Sequence, residues 1–75
     1  MAVRLVFLGR LEDIAGAAEL SVAADTLADI LSRLDPALTG ERIKLALNGT
    51  IITDSAGLTL DDGDELAFLP PVSGG

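Results

Sequence analysis

Apolar residues recur along this chain with two different periods, and the change of period separates strands from a helix. Residues 2–8 alternate from one side to the other, as they do in a strand. The alternation assigns Val3, Leu5 and Phe7 to one face and Arg4, Val6 and Leu8 to the other. The glycine at position 9 ends this run.

Residues 26–34 repeat with helical spacing instead. Apolar side chains recur at steps of three and four, so they form one stripe along a helix: Leu27, Ile30, Leu31 and Leu34. Thr26 followed by Asp29 resembles a capping box at the start of this helix, with Asp in place of the usual Glu or Gln. Pro36 and Gly40 end the element.

Four further strands and a short helical turn are predicted around this helix. The strands are placed at residues 19–23, 43–47, 51–53 and 65–69, and the helical turn at residues 11–15. Asn48-Gly49 is a hairpin turn signal, and the acidic run at 61–64 predicts a tight turn before the last strand.

This order of elements is typical of an α+β domain. If the last strand lies parallel to the first, the layout is the β-grasp, or ubiquitin-like, fold. In that fold a mixed sheet carries one main helix on one face. We expect residues 1–69 to form the domain and residues 70–75 to form an extended, flexible C-terminal tail.

Composition narrows the chemistry that the chain can perform. Its 75 residues make one small domain with a net charge of −7, and they include no Cys and no His. Disulfides, thiolate catalysis, the usual zinc sites and imidazole acid–base chemistry are therefore excluded. An acidic surface disfavours nucleic acid and suits a basic partner protein, or it simply keeps a small apolar protein in solution.

The sequence also bears on location. No window reaches the roughly 18 apolar residues that cross a membrane, and the first residues lack the layout of a signal peptide. We therefore expect a cytoplasmic protein that contacts neither membrane nor nucleic acid.

The sheet is expected to expose an apolar face, because one helix covers only one side of it. The helix-facing set is predicted to be Val3, Leu5, Phe7, Leu20, Val22, Leu45, Leu47, Leu66 and Phe68. The opposite face collects Val6, Leu8, Ala46, Ala67 and Leu69, and it leads into Pro70, Pro71 and Val72. A contiguous patch of this kind marks an interaction surface, whereas single exposed aliphatic residues are ordinary.

The last six residues, Pro-Pro-Val-Ser-Gly-Gly, change from stiff to loose along their length. Fully extended, they reach about 20 Å from the domain. Gly74 and Gly75 have no Cβ atoms, so they fit a narrow channel. The terminal carboxylate would become reactive once ATP converts it to an acyl-adenylate, and attack by a sulfur donor would then give a thiocarboxylate. The alternative is a loose glycine-rich end or the remnant of cloning.

A family resemblance rests mainly on residues 62–75, Asp-Gly-Asp-Glu-Leu-Ala-Phe-Leu-Pro-Pro-Val-Ser-Gly-Gly, which are similar to the end of the MoaD family. Those proteins are the small, sulfur-carrying subunits of molybdopterin synthase. Val-Arg-Leu-Val-Phe-Leu at 3–8 and Ala-Leu-Asn-Gly at 46–49 resemble other segments of that family. Glu12-Asp13 departs from it, because the family often has an Arg before the acidic residue there.

The resemblance implies a function for each part of the chain. Gly75 would be adenylated by an E1-like, MoeB-like enzyme that uses ATP, and then converted to a thiocarboxylate. The sulfur would pass to cyclic pyranopterin monophosphate on a MoaE-like large subunit, in a complex with two copies of each subunit. Val6, Leu8, Ala67, Leu69 and residues Pro70, Pro71, Val72 and Ser73 would contact the partners, with Gly74 preceding the reactive carbonyl. The chain would be a non-catalytic subunit and would bind no cofactor or metal itself.

Other functions remain open at this point. They are a ThiS-like carrier for thiamine biosynthesis, a carrier for a tungsten cofactor or another sulfur pathway, and a ubiquitin-like modifier of lysines. A small enzyme that binds a hard cation through Asp61, Asp62, Asp64 and Glu65 is another alternative, although four such residues are typical of a solvated turn.

Overall fold

The computed structural model describes residues 2–40, 42–52 and 57–71, and within them it contains five strands, two α-helices and one 3₁₀ turn. The strands are β1 (Val3–Phe7), β2 (Glu19–Val22), β3 (Lys44–Leu47), β4 (Thr50–Ile52) and β5 (Glu65–Leu69). The helices are α1 (Leu11–Ala15) and α2 (Leu27–Ser32), and the 3₁₀ turn is Pro36–Leu38. Neither α-helix has the length or the apolar character needed to cross a membrane.

The strands form one mixed sheet in the order β2-β1-β5-β3-β4. The central pair, β1 and β5, is parallel, while β1 with β2, β3 with β4 and β3 with β5 are antiparallel. This is the predicted β-grasp arrangement, in which the first and last strands lie side by side. The bounds of β5 and α1 are as predicted, whereas β1, β2 and β3 are each shorter by one or two residues. β4 begins one residue earlier than predicted, and the Thr53 assigned to it lies outside the described residues.

The core lies between the sheet and α2. Phe7 and Phe68 face each other across the central pair, with ring centroids 4.9 Å apart and planes inclined by 29°. Such a stacked pair adds to the stabilisation that comes from burying the two rings. The fully buried side chains around it are Val3, Leu5, Leu27, Ile30, Leu38, Leu60 and Leu66.

Two predictions about the core were incomplete. Leu20 lies on the same face as its partner Leu5 but is 37% exposed. The reason is that β2 is an edge strand, and the elements that pack on this face of the sheet do not extend over it. Leu38 and Leu60 are buried although no periodic pattern contains them. Leu38 lies in the 3₁₀ turn, and Leu60 is held where its N–H donates to the carbonyl of Asp25 at 3.0 Å.

The main helix is shorter than its apolar stripe. The N–H groups of Arg33 and Leu34 donate to the carbonyls three residues earlier, so the last turn has 3₁₀ bonding, and Leu34 still packs against the core. Thr26 caps the helix by accepting from the Asp29 N–H at 3.2 Å, as predicted. A capping box also needs a second bond, from the Thr26 N–H to the Asp29 side chain. That part of the prediction is wrong, because the Thr26 N–H donates to the Asp25 side chain at 2.8 Å.

The Phe68→Ala substitution should test how far the domain depends on the aromatic pair. Removing a fully buried ring leaves a cavity and should lower the free energy of unfolding by about 3–5 kcal/mol, measured by urea denaturation. Leu20→Ala is the matched control, since Leu20 belongs to the same sheet but is partly exposed. Equal losses from the two substitutions would show that Phe68 has no special place in the core.

Candidate functional site

The candidate site begins with the sheet face that turns away from α2, which we call the outer face. Residues facing one another across the sheet form one row through all five strands. In order from β2 to β4 the row is Glu19, Val6, Ala67, Ala46 and Ile51. Four of its five members are apolar, so the row predicted from strand alternation is confirmed and extended to β4.

A second row lies at the end of the sheet from which the tail emerges. Leu8 continues β1 beside Leu69, and the Leu8 N–H donates to the Phe68 carbonyl at 3.1 Å. Leu69 in turn faces Lys44 on β3. Leu8 is 40% exposed and Leu69 is half-buried, so both contribute surface to the outer face. This row connects the apolar face directly to Pro70 and Pro71, which are also half-buried.

The exposure of the outer face is uneven. Ile51 is 48% exposed, whereas Ala46, on the inner strand β3, is only 8% exposed. Ala46 therefore contributes little surface, although it was assigned to the patch. Ile51 was missed because β4 was predicted as a short return strand without an assigned facing. The Asn48-Gly49 turn, with φ of 51° and 88°, fixes the hairpin register that places Ile51 opposite Ala46.

Charged residues border the apolar rows. The Arg4 guanidinium lies between two carboxylates, hydrogen-bonded to Glu65 and 3.9 Å from Glu19. All three side chains are well exposed to solvent, so these pairs contribute little to stability. Among the residues that the structure describes, Lys44 forms no ion pair, and it is exposed beside Leu69. The outer face is thus an apolar surface with charges of both signs around it.

The acidic turn is a structural element. Asp64 accepts hydrogen bonds from the Asp61 N–H at 2.8 Å and from the Asn48 side-chain amide at 3.0 Å. The same Asn48 amide group accepts from the Glu65 N–H at 2.9 Å, which ties the hairpin to the start of β5. Within the described ranges, no group of three or more acidic side chains is arranged to hold a metal ion.

Comparison with known proteins places this geometry in a family. The model of the ThiS family matches residues 5–75, which is nearly the whole chain. The chain belongs to the ThiS family. A curated relative, the molybdopterin synthase sulfur carrier subunit of Escherichia coli (strain K12), is 32% identical over 82 residues, covering 97% of this chain and 99% of that protein. The resemblance inferred from the C-terminal motif is confirmed.

Two examples show how solved structures resemble this ThiS-family chain. Small archaeal modifier protein 1 (SAMP1) from Methanosarcina acetivorans has a TM-score of 0.80 at 29% identity, over 97% of this chain and 95% of that one. The complex of subunits 1 and 2 of the molybdopterin-converting factor from Helicobacter pylori 26695 gives a TM-score of 0.68 at 29% identity, over the full length of both chains.

The structure brings together part of the predicted site of this ThiS-family chain. Val6, Leu8, Ala67, Leu69, Pro70 and Pro71 form a continuous surface on β1, β5 and the start of the tail. Val72, Ser73, Gly74 and Gly75 lie outside the described residues, so their roles stay predictions. Glu12 and Asp13, where the sequence departs from the MoaD pattern, are exposed in the first turn of α1.

Asp64→Asn should weaken the acidic turn in a pH-dependent way. The bond from the Asp61 N–H, and then that from Asn48, hold the pKa of the Asp64 carboxyl below its ordinary value of 3.8. A group with a lowered folded-state pKa stabilises the protein fully above its unfolded pKa, and this contribution is lost as the pH falls through the folded pKa. The variant should therefore be less stable than the wild type at pH 7, and the difference should shrink below about pH 4.

Urea denaturation at several pH values measures this effect, with Asp62→Asn as the control. Asp62 lies in the same turn and is exposed, and its side chain makes no hydrogen bond to the described residues. A loss of stability in Asp64→Asn that is equal at pH 3 and pH 7 would contradict the assignment.

Proposed function

We propose that this chain is the sulfur-carrier small subunit of a molybdopterin synthase. The observation that carries the proposal is the continuity of the apolar outer face with the base of the tail. It occurs in a chain that is 32% identical, over nearly its full length, to the E. coli sulfur carrier subunit. A carrier must present its C terminus to an active site on another protein, and a docking surface beside the tail supplies that alignment.

The proposed chemistry takes place on Gly75. An E1-like, MoeB-like adenylyltransferase uses ATP to join AMP to the Gly75 carboxylate, with release of pyrophosphate. A sulfur donor delivers sulfide to the acyl carbon, AMP leaves, and a thiocarboxylate remains. Two such sulfur atoms, transferred in turn to cyclic pyranopterin monophosphate, form the dithiolene of molybdopterin, and each transfer returns Gly75 to a carboxylate. The chain itself contributes no acid, base, metal or bound cofactor to these steps.

The proposed partner surface is the outer face together with Pro70 and Pro71. A MoaE-like large subunit covers it while the tail enters that subunit's active site, and the complex contains two copies of each subunit. The H. pylori structure, a complex of subunits 1 and 2 of the molybdopterin-converting factor, supports a large-subunit partner. These reactions belong to the cytoplasm, where we place the protein.

A ubiquitin-like modifier is the second candidate, and one observation favours it. The match to SAMP1, named a modifier protein, has a TM-score of 0.80, against 0.68 for the molybdopterin-converting factor complex. In this role a lysine amine of a target would attack the acyl carbon of the Gly75 adenylate, release AMP and form an isopeptide bond with Gly75. Lys44 is the single lysine in the sequence and is exposed, so it is the one side chain that could link two copies.

A ThiS-like role in thiamine biosynthesis uses the same activated terminus with a different final acceptor. The family model that matches the chain carries the ThiS name. The curated relative is a molybdopterin synthase subunit, so we favour that pathway over the thiamine one.

Leu69→Glu should weaken binding to the large subunit by at least about tenfold, which corresponds to 1.4 kcal/mol. The reason is that the substitution places a charge in the middle of the proposed contact, beside Leu8 and the tail. Isothermal titration calorimetry measures the dissociation constant. Leu20→Glu is the matched control, because Leu20 is an exposed leucine of the same sheet that points away from the outer face. Unchanged affinity for Leu69→Glu, or an equal loss for Leu20→Glu, would overturn the surface assignment.

Intact mass spectrometry should identify the product formed on Gly75. After incubation with ATP, an E1-like adenylyltransferase and a sulfur donor, the wild-type chain should gain the mass difference between sulfur and oxygen. A variant lacking Gly75 should fold normally by circular dichroism and remain unmodified.

The other outcomes separate the candidates. Covalent adducts with other proteins, or dimers that Lys44→Arg abolishes, would indicate the modifier function instead. Molybdopterin formation by the truncated variant, assayed with the large subunit, would defeat the carrier proposal.

A further inference from the structure

The hydrogen-bond ladder between β1 and β5 ends where the tail leaves the sheet, because the residue that follows β5 cannot donate a hydrogen bond. In a parallel ladder, the rung after the bond from the Leu8 N–H to Phe68 would run from the N–H of residue 70 to the Leu8 carbonyl. Residue 70 is proline and has no N–H to donate. The Leu8 carbonyl instead accepts from the Leu11 N–H at 3.1 Å, in the first turn of α1. The Leu8 carbonyl, which the ladder leaves without a partner on β5, is therefore used by the first turn of α1.

Gly9 lies in this turn and is in close contact with the base of the tail. A Cβ atom added at Gly9 would lie 3.2 Å from Cγ of Pro70, closer than such atoms ordinarily approach. Gly9 also has a φ of +57°, in the region that favours glycine. The Pro70 ring thus occupies space that is available because residue 9 has no side chain.

This contact gives the tail a direction. β5 lies between β1 and β3, so Pro70 could leave the sheet toward either neighbour. The Pro70 ring lies close to Gly9, on the β1 side of β5, whereas Lys44 lies on the β3 side. Because Pro70 and Pro71 are stiff, a displacement of the Pro70 ring also shifts the direction in which Pro71 leaves the sheet.

We propose that Gly9 is a positioning residue, which sets the direction of the tail through its contact with Pro70 and thereby the efficiency with which the activating enzyme engages the C terminus. This inference rests on the proposed function, since it concerns adenylation of Gly75. Gly9 acts only through Pro70 and does not touch the reacting atoms. A side chain at position 9 displaces the ring by a few tenths of an ångström and moves the exit path of the tail toward β3.

The test compares Gly9→Ala with Gly16→Ala in the full-length chain. Gly16 also has a positive φ, +80°, and follows the same short helix, but an added Cβ there meets nothing within 4 Å. Both substitutions therefore impose similar backbone strain, and only Gly9→Ala disturbs Pro70. The measurement is kcat/KM for ATP–pyrophosphate exchange by an E1-like adenylyltransferase that adenylates the wild-type chain.

We expect Gly9→Ala to lower kcat/KM by about five- to tenfold, because displacing a substrate by a fraction of an ångström impairs alignment without abolishing it. Gly16→Ala should keep kcat/KM within about twofold of the wild type, while its melting temperature falls about as much as that of Gly9→Ala, because both place a Cβ on a backbone with positive φ. Equal kcat/KM values for the two variants would overturn the proposal. If Gly9→Ala does not fold, Gly9→Asn supplies the same Cβ with a residue that tolerates a left-handed backbone.

A double-mutant cycle with Pro70→Ala separates positioning from local stability. Removing the ring eliminates the Cγ atom that the new side chain would meet, so Gly9→Ala should have no further effect on kcat/KM in the Pro70→Ala background. A loss of the same size in both backgrounds would show that Gly9 acts independently of the tail and would overturn the inference. Failure of the wild-type chain to be adenylated would contradict the proposed function itself, which is a distinguishable result.

Discussion

The parallel pairing of β1 with β5 is the constraint on which the rest of the molecule depends. It brings Phe7 against Phe68 on the helix side of the sheet, where the two rings form the centre of the core. On the other side the same register aligns Val6 with Ala67 and continues to Leu8 beside Leu69. The pairing that stabilises the fold is therefore also the pairing that assembles the outer face, so the proposed partner surface cannot form in a chain that lacks the core.

Much of this arrangement could be predicted from local sequence. Strict alternation in β1 and β5 assigned both faces correctly, because each strand is central and its two sides meet different environments. The C-terminal motif predicted the family correctly, whereas the chemistry of the tail stays a prediction. Burial of Leu38 and Leu60 could not be predicted, since each depends on a turn that returns to the core without a periodic pattern. For Leu20 the alternation gave the right face of the sheet. It could not show that Leu20 is partly exposed there, because that depends on β2 being an edge strand.

The site was predicted less completely than the fold. Ile51 belongs to the outer face because the Asn48-Gly49 turn sets its register, and the facing of so short a strand does not follow from its own residues. The role of Gly9 depends on a contact with a residue at the other end of the chain. A glycine at the end of a strand reads simply as a stop signal, and only the three-dimensional structure shows what its missing side chain leaves room for.

The central pair also has a consequence for the order of folding. Arg4 and Glu65 are 61 positions apart, yet they lie opposite each other in the sheet, whereas the β3–β4 hairpin is closed by two residues. Bringing distant segments together carries a large loop-closure entropy, so such contacts form slowly relative to local ones. The hairpin can therefore form before the central ladder, and the sheet is complete only when β5 pairs with β1. A partner that recognises the outer face would thereby select molecules that have finished folding, and an immature chain would expose its terminus without the surface needed to engage it.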